Sequence, residues 1–215
     1  AYAGPIFDVH IHTSAPRGWA GRPNPVSGVP APATEALHRQ AVLAALKQHN
    51  IVRAALHGPA ETLQAWVDAA PGRFIPLPML FEPPDDPLPT PDTLRDGITA
   101  GRFKGVGEII AQYAGVPLDD PMLEPYWQLA TDLDVPVAVH TGRSFAGIVY
   151  DGYPKFRLRY GNPLALEDVL AHHRSLRLYM MHAGEPWRQD TLATMSMDPQ
   201  LYLDIGAVVW LAPRP

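Results

Sequence analysis

The chain has 215 residues, 47% hydrophobic and 18% charged, a balance that fits a globular protein with a sizeable core and excludes a disordered one. A net charge of −5 offers no basic stripe for a phosphate backbone, so no nucleic-acid partner is expected. Cysteine is absent, which excludes disulfides and thiolate catalysis and leaves His, Asp and Glu as the metal-ligand candidates.

No apolar run approaches the ~20 residues needed to span a bilayer, so no membrane partner is expected. The sequence leaves the compartment open: cytoplasmic, or periplasmic if a signal peptide has been removed from ahead of "AYAGP".

In chain order, short Val/Ile/Leu-rich runs alternate with helix-like stretches. "PIFDVHIH" (5–12) predicts the first strand. The proline-crowded segment 15–34 reads as a stiffened loop, and Thr34 caps a predicted helix over "EALHRQAVLAALKQ" (35–48). "IVRAALHG" (51–58) predicts a second strand. "ETLQAWVDAA" (61–70) predicts a helix with Leu63, Trp66, Val67 and Ala70 on one face. A third strand, "RFIPLPML" (73–80), precedes another proline-rich stretch, "EPPDDPLPTPD" (82–92), read as loop. "FKGVGEII" (103–110) predicts the fourth strand. Asp120-Pro121 is a cap-and-proline start for "MLEPYWQLATDL" (122–133), and "VPVAVHTG" (135–142) the fifth strand. Asn162-Pro163 repeats the device before "LALEDVLAHHR" (164–174). "LRLYMMHAG" (176–184) and "LYLDIGAVV" (201–209) predict strands six and seven.

The runs lack clean polar/apolar alternation, as strands buried on both faces of a parallel sheet do. The alternation therefore predicts a single α/β domain over 1–215, either an open doubly wound sheet or a (β/α)8 TIM-like barrel. "GVGEI" is not the glycine-rich nucleotide turn of the open sheet. In a barrel, functional residues sit at the C-terminal ends of several strands. Here strand one ends in His10 and His12, strand two in His57, strand four in Glu108, strand five in His140 and strand six in His182, while strand seven carries Asp204. A His-x-His pair alone is weak, since 9 His in 215 residues give about 0.4 by chance. Five of the nine at one sheet edge is a stronger signal. His38, His49, His172 and His173 fall on helices and read as ordinary solvated or partly buried side chains. Residues i and i+2 of a strand share a face, so His10 and His12 can reach one ion, with His140 arriving from across the barrel.

"DVHIH", "VAVHTG" and "YMMHAG", in that order on strands one, five and six, resemble the amidohydrolase superfamily, most closely its amidohydrolase-related branch of mononuclear-metal hydrolases and non-oxidative decarboxylases. The resemblance implies a distorted (β/α)8 barrel with His10, His12 and His140 as ligands of a divalent metal. Zinc is the expected ion, with manganese or iron as alternatives. It implies that His182 ligates a second ion or hydrogen-bonds water and substrate. Glu108 is a metal ligand, as in branches where this carboxylate bridges two ions, or else an ion-pair partner of Arg143 or Lys104. Asp8, one layer deeper, is expected to hydrogen-bond a ligand, and Asp204 to pair locally.

The family also places an essential aspartate after an eighth strand, whereas this sequence runs to "WLAPRP" just past strand seven. The barrel is therefore expected to lack its eighth unit. Three explanations fit: a fragment of a longer protein, a partner chain supplying the last strand, or a truncated relative. Foldability favours the first.

The expected activity is hydrolysis of an amide, ester or lactone, with His182 and Glu108 as catalytic groups and Glu108 replacing the missing base. The alternatives are decarboxylation of an aromatic or enolic acid, or a truncated barrel that is inactive or partner-dependent. Arg143, Tyr153, Arg157, Trp187, Trp19 and His57 are the expected substrate-binding residues, suited to a small molecule bearing a carboxylate. A homo-oligomer is left open.

Overall fold

A computed structural model describes residue 2 and residues 4–13, 21–23, 28–82 and 86–208. Among these residues seven parallel strands alternate with six α-helices: β1 Ile6–His12, α1 Glu35–Gln48, β2 Ile51–Gly58, α2 Ala60–Ala69, β3 Phe74–Pro78, α3 Pro91–Thr99, β4 Val106–Ile109, α4 Glu124–Asp132, β5 Pro136–His140, α5 Glu167–His172, β6 Arg177–Met181, α6 Arg188–Met197 and β7 Leu201–Leu203. The strands pair in sequence order as β1-β2-β3 and β4-β5-β6-β7. Leu80 bridges Ile109, and Lys104 N donates to Pro76 O at 3.0 Å, so the second sheet continues the first. Among the described residues β7 and β1 do not pair, and the barrel is not closed.

The helix caps are those the sequence announces. The Thr34 hydroxyl accepts from Leu37 N, the Asp120 carboxylate from Met122 N and the Asn162 side chain from Leu164 N. Two helices were not read from the sequence. Segment 82–92 is not all loop: Thr90 caps α3 and Pro91 is its first residue, a position where the missing N–H costs nothing. No helix was read between strands six and seven, yet Arg188 opens α6, whose weak apolar stripe gives little periodic signal. Strand β7 is also shorter than predicted, so Asp204 lies just beyond it.

Period-two alternation sorts the strand residues into two layers. Leu56, Ile11 and Phe74 face a helix-side core with Leu46, Leu63 and Trp66. Val106, Ile109, Val137, Val139, Leu178 and Met180 face a second, larger helix-side core with Leu94, Trp127 and Leu170. The interleaved residues His10, His12, His57, Glu108, His140 and Tyr179 are left for the interior of the open barrel.

Val106 and Ile109 are three apart yet share the helix-side core, because β4 bulges between them. Val106 pairs Val137 and Glu108 pairs Ala138, leaving Gly107 extra. A Cβ on Gly107 would collide with the Leu77 carbonyl of β3, so glycine is required for this close approach. Gly107→Ala is expected to force β4 away from β3 and to destabilise the fold by about 1–3 kcal/mol, read as a lower midpoint in guanidinium chloride.

Candidate metal centre

A second bulge lies in β1, where Asp8 pairs Ala54 and Ile11 pairs Leu56, so three steps on β1 match two on β2. Asp8 stabilises it by accepting the main-chain N–H of His10 at 2.9 Å. Asp8 therefore holds the His10 backbone, where the sequence suggested a contact to a ligand group. Both bulges sit at residues that reach the barrel interior, His10 on β1 and Glu108 on β4.

The carboxylate of Glu108, 2% exposed, stands among three imidazoles. His140 Nδ1 is 2.8 Å from Oε1, His182 Nε2 is 3.6 Å from Oε1, and His12 Nε2 is 3.3 Å from Oε2. His10 Nε2 lies 3.1 Å from His12 Nε2. Donor atoms of His10, Glu108 and His182 all fall within 4.8 Å of one another. The ion pair of Glu108 with Arg143 or Lys104 considered from the sequence is thus replaced by histidine partners.

Hydrogen-bond logic fixes the ring tautomers. His10 Nδ1–H donates to Asp204 Oδ2 at 2.9 Å, His182 Nδ1–H to Gly206 O at 2.8 Å, and His140 Nδ1–H to Glu108 Oε1. In each ring Nε2 is left as a lone pair, the arrangement metal-binding histidines adopt. His140 Nε2 is buried and has no hydrogen-bond partner.

Asp204, expected to pair locally, instead reaches β1 from the far end of the chain. Its other oxygen accepts from His182 N at 3.0 Å and Gly206 N at 2.7 Å. His182 and Ala183 occupy the left-handed region at φ 63° and 49°, a strain of roughly 1–3 kcal/mol each that the Asp204 and Gly206 contacts hold in place. The sequence carried one signal for Asp204, its place at the end of the seventh strand.

Burial alone would raise the Glu108 carboxyl; the hydrogen bond from His140 and the nearness of His182 and His12 override it and hold it well below the usual range. Burial lowers His12 to about 3, against the pull of Glu108. Burial also lowers His140. For His182 burial acts downward too, but the Glu108 carboxylate and the Gly206 carbonyl prevail and raise it.

His57 is not a substrate contact. It is fully buried, Nδ1 accepting from Glu108 N at 3.1 Å and Nε2 standing 3.1 Å from both Val9 O and the Tyr179 hydroxyl. Tyr153 is also buried, packed with Phe156 and Ile148 against Tyr113, whose ring meets His140 edge-on at 5.0 Å. Arg157 is exposed and bonds the Pro154 and Phe156 carbonyls, bracing its own loop. Arg143 and Trp187 are partly buried on adjoining loops. Arg143 N donates to Glu185 O at 2.7 Å, and Gly142 lets the two backbones meet where a Cβ would strike Glu185. Trp19 lies outside the described residues. Two helix histidines do more than expected. His38 bonds the His12 carbonyl at 3.1 Å, and His173 is buried between Thr131 and Glu124.

A family model described as amidohydrolase matches residues 7–214. The chain belongs to the amidohydrolase family. Solved structures share its fold. An uncharacterized TIM-barrel protein from Bordetella bronchiseptica aligns at 18% identity and a TM-score of 0.72, over 97% of this chain and 78% of that one. A probable 2-pyrone-4,6-dicarboxylic acid hydrolase from Acinetobacter baumannii aligns at 15% identity and 0.57, over 94% and 70%. A 2,6-dihydroxybenzoate decarboxylase from Rhizobium aligns at 17% and 0.54, over 99% and 73%. No protein of curated function matches. No helix among the described residues is long and apolar enough to cross a membrane.

Amidohydrolases as a superfamily use divalent metals, and the His/Glu group of this chain can hold one. Two donors on one tetrahedral ion at ~2.0–2.1 Å lie roughly 3.3 Å apart. The 3.1 Å between His10 and His12 and the 3.3 Å between His12 and Glu108 fit that spacing, and the orphaned His140 Nε2 supplies a further lone pair.

In the metal-free amidohydrolase, His57 is held neutral by burial, with its pKa lowered from 6.5 to about 4. Its stabilisation is complete above pH 6.5, where the unfolded chain is neutral as well, and is lost as pH falls toward 4. That loss is about 3 kcal/mol at most. Chemical unfolding of the apoprotein at pH 7.5 and 4.5 is expected to show a smaller difference for His57→Gln than for wild type; equal differences would remove His57 from the acid response.

Proposed function

We propose that this amidohydrolase cleaves an amide, ester or lactone bond with a divalent cation, expected to be zinc, held by His10, His12, His140 and Glu108. The observation that carries the reading is the tautomer set, in which His10, His140 and His182 each spend Nδ1–H on a fixed acceptor and keep Nε2 as a lone pair. When bound, the cation would polarise a carbonyl and draw the pKa of water toward ~7.

The remaining work belongs to side chains. Glu108, held ionised well below the usual carboxylate range, is a weak base and a good anionic anchor. The role of base, which the sequence gave to Glu108 by default, passes to His182. Its ring is locked by Gly206 and its proton affinity is raised, so Nε2 can take a proton from water and return it to the leaving group. Tyr113, edge-on to His140 and bonded through its hydroxyl to Ser144, seals that side of the centre. Arg143 and Trp187, on the loops after β5 and β6, are the residues offered to a small carboxylate-bearing substrate.

The test is metal analysis followed by turnover. The purified protein is expected to carry zinc or a related ion, which His10→Ala and His140→Ala lose. Loaded protein is screened against carboxylate-bearing lactones, esters and amides with titration of newly formed acid. Release of carbon dioxide from aromatic or enolic acids without hydrolysis would replace this reading with decarboxylation. Asp204→Ala frees the His10 ring and the His182 backbone together and is expected to weaken metal binding about 10–100-fold, measured by chelator competition.

A further inference from the structure

The two bulges that aim His10 and Glu108 are joined by one side chain. Strands β1 and β4 are not neighbours in the sheet, being separated by β2 and β3. The His57 ring, on β2, reaches both. A main-chain N–H can only donate, so Nδ1 is the acceptor for Glu108 N at 3.1 Å, and Nε2 must carry the proton. Nε2–H then points at Val9 O, one residue before His10, at 3.1 Å. The Tyr179 hydroxyl closes the node from β6, 3.1 Å from Nε2 and 3.3 Å from the same carbonyl. Bulges leave main-chain groups outside the ladder, and here one such group from each bulge ends on the same imidazole. Both nitrogens are used, the ring is fully buried, and nothing of it is left to meet a substrate.

We propose that His57 is a positioning residue, a rigid strut across the barrel that fixes the separation of His10 and Glu108 and thereby the fit of the metal centre. The inference rests on the proposed metal role of those two residues. A flat ring with an acceptor on one side and a donor on the other has a length that neither bulge can alter. Removing it frees the Glu108 amide and leaves the Val9 carbonyl to the longer Tyr179 contact alone, so the two facing groups lose their common reference. A carboxamide offers one acceptor and one donor at a comparable separation, whereas a phenyl ring fills the space and offers neither.

Three proteins are compared: wild type, His57→Phe and His57→Gln. Long-range proton–nitrogen spectra of the metal-free wild type are expected to show His57 protonated at Nε2 and bare at Nδ1; the opposite tautomer would overturn the strut. In metal-free His57→Phe the ring signals of His10 and His182 are expected to move, and in His57→Gln to stay near their wild-type positions. For cobalt as probe, His57→Phe is expected to bind at least ten-fold more weakly with a shifted visible spectrum, and His57→Gln within about three-fold of wild type. A folded His57→Phe with wild-type ring signals, cobalt affinity and spectrum would refute the proposal. Should His57→Phe not fold, His57→Gln and Tyr179→Phe decide: unchanged ring signals are expected in the first and displaced His57 signals in the second, and the reverse refutes it. A wild type that binds no cobalt would instead sink the metal reading, while the ring signals of the metal-free proteins still decide the strut.

Discussion

A carboxylate cannot be carried into a protein interior without partners, and the centre of this structure is organised around that constraint at Glu108. Three histidines, from β1, from β5 and from just beyond β6, converge on its two oxygens, His140 and His182 on one and His12 on the other. The His140 hydrogen bond and the nearness of the other two rings hold the group ionised despite burial. Each converging ring must be delivered by its own strand end, so the parallel order of the sheet and the positions of His12, His140 and His182 follow one requirement. The helix-side cores, by contrast, need only apolar residues of suitable volume, and they tolerate more variety in how that is met.

The delivery is made by departures from regular strand geometry. A strict period of two would turn either Val106 or Ile109 away from the helix-side core, and the extra residue at Gly107 lets both remain there while Glu108 faces inward. The β1 bulge lies at the same point relative to His10, with Asp8 satisfying the amide it releases. Such irregularities cost ladder hydrogen bonds, and each is compensated by a side chain: Asp8 for His10 N, and His57 for Glu108 N and Val9 O.

The sequence disclosed the parts of this arrangement that depend on periodicity and local capping. Seven apolar runs, their order and the starts at Thr34, Asp120 and Asn162 are local properties, and so is the gathering of His10, His12, Glu108, His140 and His182 at strand ends. Helix α3 was hidden because Pro91 carries a loop signal and a helix-start signal at once, and only the Thr90 cap separates them. Asp204 and His57 were misjudged for a different reason. A carboxylate 194 positions from the ring it holds shows its place at a strand end but not its partner, and a histidine at a strand end looks the same whether its nitrogens face a substrate or the main chain. Register shifts decide that second question, and they are properties of paired strands.

Charge gives the centre its remaining logic. Glu108 and Asp204 are both held below their ordinary pKa, so two negative charges lie within the ring of histidines, while burial keeps His12, His57 and His140 neutral. In the metal-free protein His182 is the ring whose proton affinity rises, and a proton on it stands where positive charge is wanted. A divalent cation meets the same demand more fully and without requiring any ring to be charged. A proton on His182 and a cation held as proposed would therefore answer the same local need for positive charge. The left-handed backbone at His182 belongs to the same balance. Asp204, just beyond β7, holds that strained residue with one oxygen and the His10 ring of β1 with the other, so one carboxylate ties the two strands together and orients the centre.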